Sequence, residues 1–173
     1  MCWNAGASAV FAIAGISVTA YAVHKGEPKA ILLSLGYFTG MEVLQAFSYP
    51  SIDQCGSAEN LLMSKLSFAH ILFQPFFFNA IALCFVSKEI KARAQWWVYG
   101  ACAVASFLML LQMYPISGGG QCASHRAMCG PDFCTYMGNW HLAWQFPYND
   151  WGNGFADSAN AILRYPKLLP PEP

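Results

Sequence analysis

The stretch AILLSLGYFTGMEVLQAFSY, residues 30–49, decides the fold, because its twenty residues hold one formally charged group, Glu42, and it is closed by Pro50. A bilayer's hydrocarbon core is crossed by roughly 20 predominantly apolar residues in α-helical form. Three further windows meet that standard. The first runs from about Ala5 to Val23 and stops at His24-Lys25-Gly26-Glu27-Pro28-Lys29, where proline, glycine and charge end a helix. The third covers about Leu66 to Val86 and contains Pro75, which a membrane helix tolerates when neighbours satisfy the freed carbonyl. The fourth spans about Trp96 to Tyr114, with Trp96, Trp97 and Tyr99 at one end and Tyr114 at the other, as interfacial aromatic belts require. Four such windows leave too little polar surface for a soluble core. The expected class is all-α, a polytopic transmembrane helix bundle occupying residues 1–114.

Composition points the same way. The chain has 173 residues, 56% hydrophobic and 10% charged, with a formal net charge of zero. No basic run offers phosphate-backbone attraction, so nucleic acid is not an expected partner. The expected partner is the lipid bilayer, with room for a membrane-protein partner or an oligomer. Met1-Cys2-Trp3-Asn4 lacks the basic region that opens a secretory signal, so the first helix reads as a retained anchor. Lys25, Lys29, Lys88, Lys91 and Arg93 fall in the loops after the first and third windows, whereas Lys65 and Arg126 fall on the other side. This asymmetry places the first set in the cytoplasm and the N-terminus outside.

Cysteine placement gives an independent test of sidedness. Cys2, Cys55, Cys122, Cys129 and Cys134 all fall on the expected outer side, where thiols oxidise, and are the disulfide candidates. Cys84 and Cys102 read as small packing residues within the helices. Residues 115–155 form an expected extracytoplasmic segment rich in cysteine and aromatic residues, opening with Ser117-Gly118-Gly119-Gly120. Its Cys122, His125, Cys129 and Cys134 could alternatively surround zinc, although their spacing matches no standard module. The run NWHLAWQFPYNDWGNGF, residues 139–155, suits an aromatic interfacial lid or a re-entrant anchor. Residues 156–173 read as a short helix followed by a proline-rich tail.

The chemistry-bearing residues lie inside the windows. A carboxylate such as Glu42 at membrane depth costs roughly 2.5 kcal/mol or more unless it is paired, protonated or facing a cavity. Gln45 and Tyr49 follow on the same helical face. In the third window Ser67, His70 and Gln74 form a second polar stripe, and Asn4 and Ser8 supply a third in the first. The three are expected to converge in a pocket in the outer half of the bundle. Glu42 and His70 could act as an acid–base pair or, with His141 as a third ligand, hold a divalent metal, for which zinc is the natural cofactor. They could equally serve as interhelical glue without turnover, or line a site for a ligand, pigment or ion. The structural or accessory role is the leading expectation, with the metal-dependent hydrolase and the ligand-binding protein as alternatives.

A family resemblance rests on Cys2-Trp3-Asn4 with Ala7-Ser8, Glu27-Pro28-Lys29, Gly36-Tyr37-Phe38-Thr39, Met41-Glu42, Gln45-Ala46, His70, Phe73-Gln74-Pro75-Phe76-Phe77 and Gly138-Asn139-Trp140-His141. Over nearly the whole chain these blocks resemble an uncharacterised family of small multi-pass membrane proteins known only as a domain of unknown function. The resemblance implies a plan of about seven helices and no assigned activity. More distantly, Trp3-Asn4 before a first helix and an outer N-terminus are similar to the alkaline ceramidase and adiponectin-receptor-like membrane hydrolases, which hold zinc through three histidines. That similarity carries over to His70 alone, as a zinc ligand, since no H-x-x-x-H pair is present.

Overall fold

The computed structural model describes residues 4–113, 128–138 and 142–149. Four helices dominate: α1 (Ala5–Lys25), α2 (Lys29–Ser48), α3 (Ala58–Ala82) and α4 (Lys88–Met113), each packed against its successor. All four are long and apolar enough to cross a membrane. A 3-10 turn, Tyr49–Ser51, follows α2. A two-stranded antiparallel hairpin, β1 (Cys134–Met137) and β2 (Leu142–Gln145), packs on α3.

Local chemistry fixes the helix ends. The Asn4 side chain accepts the Ala7 N–H at 2.8 Å and so caps α1. Gly26 closes the same helix in the left-handed region, φ 73°, a conformation glycine adopts at least cost. Two boundaries differ from the sequence reading. Helix α3 begins at Ala58 rather than near Leu66, because Ser57 caps it and its polar first turns find partners in the hairpin. Helix α4 begins at Lys88 rather than near Trp96. Ser87 accepts the N–H groups of Ile90 and Lys91, and the charged turn from Lys88 to Arg93 is helical although it is not apolar. Lys65 consequently lies on α3, with its Nζ 5.8 Å from the Phe133 ring, and not in a loop.

The distribution of residues is inverted relative to a water-soluble bundle. Ser8, Ser34, Gln45, Ser48, Asn60, Ser64, Ser67 and Ser106 are buried between helices, whereas Phe85, Trp96 and Trp97 are 80%, 77% and 83% exposed. Large apolar side chains face outward all along α1 to α4. Small and hydroxylic residues let helices approach closely and hydrogen-bond across the interface, which is the packing logic of membrane helices. At the α1–α2 crossing a side chain on Gly15 would meet the Thr39 hydroxyl at 2.5 Å, so only glycine fits. The hydroxyls of Ser34 and Ser106 reach the carbonyls of Phe77 and Leu72 on facing regions of α3, at 2.9 and 2.6 Å.

Where an aromatic lid or re-entrant loop was expected after the fourth helix, the described residues form a hairpin. Cys134 in β1 is disulfide-bonded to Cys55 in the α2–α3 loop. Cys129 is disulfide-bonded as well. Cys84 and Cys102 are free; Cys102 is buried and accepts the Asn79 amide at 3.5 Å, in keeping with a packing role. The other disulfide candidates, Cys2 and Cys122, together with His125, His141, Asp150 and the tail 156–173, lie outside the described residues.

Phe68 of α3 meets Phe133, Phe146 and Tyr148 edge-on, an aromatic cluster that seats the hairpin on the bundle. Burial pushes the Tyr148 phenol up to about 12. An unfolded tyrosine ionises near pH 10. Between pH 10 and 12 the unfolded chain therefore releases a proton that the folded chain keeps, and stability falls as pH rises through this window. Tyr148→Phe is expected to remove that part of the alkaline destabilisation, measured by unfolding the protein at pH 9 and pH 11.

Candidate functional site

The site is built where α2 faces α3. Two hydrogen-bond ties bracket the contact: the Ser34 hydroxyl donates to the Phe77 carbonyl, and the Asn60 amide donates to the Ser51 carbonyl. These ties fix an antiparallel register that sets Tyr37 level with Gln74 and Glu42 level with Ala69, between Ser67 and His70. The Tyr37 ring lies between His70 and Phe77, 3.8 Å from each ring centroid and nearly parallel to both. Its hydroxyl donates to the His70 carbonyl. With one imidazole face covered by Tyr37, the edge nitrogens are left to do chemistry.

Three buried polar atoms at this level have no hydrogen-bond partner among the described residues: Glu42 Oε2, Ser67 Oγ and His70 Nε2. Leaving a buried donor or acceptor unpaired costs roughly 1–3 kcal/mol. Folded proteins rarely leave such groups unpaired, and those that persist call for an ion, a water or a function. One turn of α3 further on, Pro75 lacks an N–H and frees the Ile71 carbonyl from its intrahelical bond. Carboxylate, hydroxyl and imidazole together can accept protons, coordinate a cation or hydrogen-bond a polar ligand.

The residues singled out in the sequence divide into two groups. Glu42, Ser67 and His70 stand at one level, though no hydrogen bond joins Glu42 to His70. The Ser8 hydroxyl donates to Gln45 Oε1 at 3.4 Å, so these two link α1 to α2. Asn4 is exposed and occupied as the α1 cap. Gln74 is also exposed. The ring of Tyr37 occupies the space between His70 and Phe77. Tyr49 is half-buried just beyond α2. Among the described residues no group of three or more His, Cys, Asp or Glu could hold a metal ion. The expected third ligand, His141, is outside them.

Sequence reading missed a second polar centre, at the N-terminal end of α3. Asn60 Nδ2 donates to the carbonyls of Ser51 and Thr135 at 2.8 and 2.7 Å, and Asn60 Oδ1 accepts the Thr135 N–H at 3.0 Å. Ser64 and Thr135 share a hydroxyl–hydroxyl bond of 2.8 Å. Asp53 adds its backbone N–H to the Thr135 carbonyl and accepts the Met137 N–H. Asn60, Ser64 and Ser67 recur at helical spacing, so the stripe was legible, whereas its partner Thr135 lies 71 positions from Ser64.

The family model of a family of unknown function, DUF5765, matches residues 6–169. The chain belongs to that family. No curated protein and no solved structure matches it. The DUF5765 assignment attaches no activity to Glu42, Ser67 or His70, so their role has to be argued from the geometry of the α2–α3 interface.

Proposed function

We propose that this DUF5765 protein is a multi-pass membrane protein with its N-terminus outside, and that the Glu42–Ser67–His70 cluster binds a small polar ligand or cation. The inverted bundle, with polar residues inside and large apolar ones outside, supports the membrane reading. The five basic residues after α1 and α3 support the orientation, and the disulfide between Cys55 and Cys134 agrees with an oxidising outer side. The observation that carries the binding reading is the set of three buried polar atoms without a hydrogen-bond partner among the described residues. A purely structural cluster would pair its members with one another, as Asn60 and Thr135 do. Such groups are stabilised when a ligand supplies the missing partners.

Zinc is the first probe, because carboxylate and imidazole are among its ligands. Elemental analysis of detergent-purified protein prepared without chelators measures it. Zinc lost in His70→Ala assigns a metal site, and absence of metal leaves a hydrogen-bonding ligand or a structural role. Stability separates binding from the structural or accessory role. Glu42→Leu is expected to raise the stability of the ligand-free protein by about 1–3 kcal/mol, since it removes an unsatisfied carboxylate at membrane depth. A loss of comparable size on thermal unfolding would instead make Glu42 interhelical glue and end the binding reading.

A further inference from the structure

A second site lies on the other side of α2, away from His70. Between α1 and α2 an open groove of about 430 Å³ is lined by Ile16, Ala20 and Val23 on one wall and Gly36, Gly40 and Val43 on the other. Its only polar lining groups, Thr19 and Thr39, are turned to each other, their hydroxyls 3.5 Å apart, and Thr19 also donates to the Gly15 carbonyl. A Cβ built on Gly36 or Gly40 meets nothing within 4 Å, so the two glycines form a dent that no part of the described protein fills.

The groove runs parallel to the helices and ends, at Val23, within one turn of the α1–α2 loop. There His24, Lys25 and Lys29 are exposed, with Glu27 the one carboxylate among them. Lys25 Nζ stands 5.5 Å from the Tyr21 ring centroid. Helix α2 starts in the same loop at Pro28 with no side-chain cap and no acidic residue in its first turn, so its positive end adds to the lysines, with Glu27 the one carboxylate to offset them. An apolar trough that opens at one end onto cationic groups is complementary to one class of molecule. We infer that this groove binds an anionic phospholipid, an acyl chain lying over Gly36 and Gly40 and the phosphate at Lys25, Lys29 and the start of α2.

The inference rests on the membrane-spanning reading, which would fall by itself if the chain purified as a monodisperse protein without detergent. The test uses the full chain in detergent, exposed to equal amounts of phosphatidylglycerol and phosphatidylcholine with identical acyl chains and read by native mass spectrometry. Phosphatidylglycerol is expected to be retained over phosphatidylcholine. Substituting Lys25→Gln and Lys29→Gln is expected to reduce that preference about fivefold per lysine. A Cβ at Gly36 meets no protein atom within 4 Å, so Gly36→Leu is expected to fill the dent and abolish retention of both lipids; Gly40→Leu serves if Gly36→Leu does not fold. Equal retention of the two lipids by the unmodified protein, or undiminished phosphatidylglycerol binding in the filled-groove variant, overturns the inference. So does loss of a cross-linked dimer in Gly36→Leu with lipid retention unchanged, which would give the groove to a second copy of the chain.

Discussion

Replacing Asn60 with leucine is expected to destabilise the protein by about 3 kcal/mol or more and to release the hairpin from the bundle. The side-chain amide of Asn60 reads Thr135 as a neighbouring strand would, accepting its N–H and donating to its carbonyl, and it also donates to the Ser51 carbonyl. Asn60 and Thr135 are both fully buried, so water cannot replace these bonds. Leucine would leave the Thr135 N–H and the Ser51 carbonyl orphaned, each costing roughly 1–3 kcal/mol. Asn60→Asp keeps the acceptor for the Thr135 N–H but loses both donations, and is expected to be destabilised as well. Thermal unfolding in detergent measures the loss, and limited proteolysis of the hairpin reports its release. A variant as stable as the parent would remove Asn60 from its role as the anchor.

The second large effect is expected from Cys55→Ser or Cys134→Ser. The bond links residues 79 positions apart, so it closes a long loop in the unfolded chain. On the loop-entropy model a loop of that size contributes about 4 kcal/mol. The loss is expected to approach that value, because Asn60 holds the adjacent residue, Thr135, and keeps the native strand docked without the bond. Combining Cys134→Ser with Asn60→Leu is expected to cost less than the two single losses added together, since with both contacts gone the strand can undock and let water reach the orphaned groups. A double-mutant cycle on unfolding free energies measures this coupling. Strict additivity would mean that the two contacts do not share the task of docking β1.

Much of the fold was legible because membrane spans are a matter of length and apolarity, and the four windows at residues 5–23, 30–49, 66–86 and 96–114 each contain the core of a helix. The boundaries of α3 and α4 were misread by about eight residues for one physical reason. Hydropathy marks where a segment is apolar, whereas a helix extends as far as its backbone groups are satisfied. Ser57 and Ser87 satisfy the first turns of α3 and α4, so the polar runs at Asn60 and from Lys88 to Arg93 are helical too. Glu42, Ser67 and His70 could be singled out as candidates because ionisable and hydroxylic residues stand out in an apolar run. Tyr37 was not, because an aromatic residue in such a run gives no sign that its ring will slot between His70 and Phe77.

The hairpin was the least legible element. Four-residue strands carry too short an alternation to stand out, and the turn-rich surroundings of Cys134 read as loop. Pairing of Cys55 with Cys134, rather than with any other outer cysteine, depends on where β1 docks, which the Asn60 amide and the Phe68 cluster decide.

What the sequence determined by itself is whatever depends on composition along the chain: the number of helices long and apolar enough to cross a membrane, their approximate centres and the residues able to carry chemistry. The tertiary structure decided which of those residues meet, because register, ring stacking and disulfide choice depend on contacts between segments far apart in the chain. Glu42, Ser67 and His70 came to one level through the ties at either end of the α2–α3 contact, while Gln74, read in the sequence as part of the same stripe, is exposed.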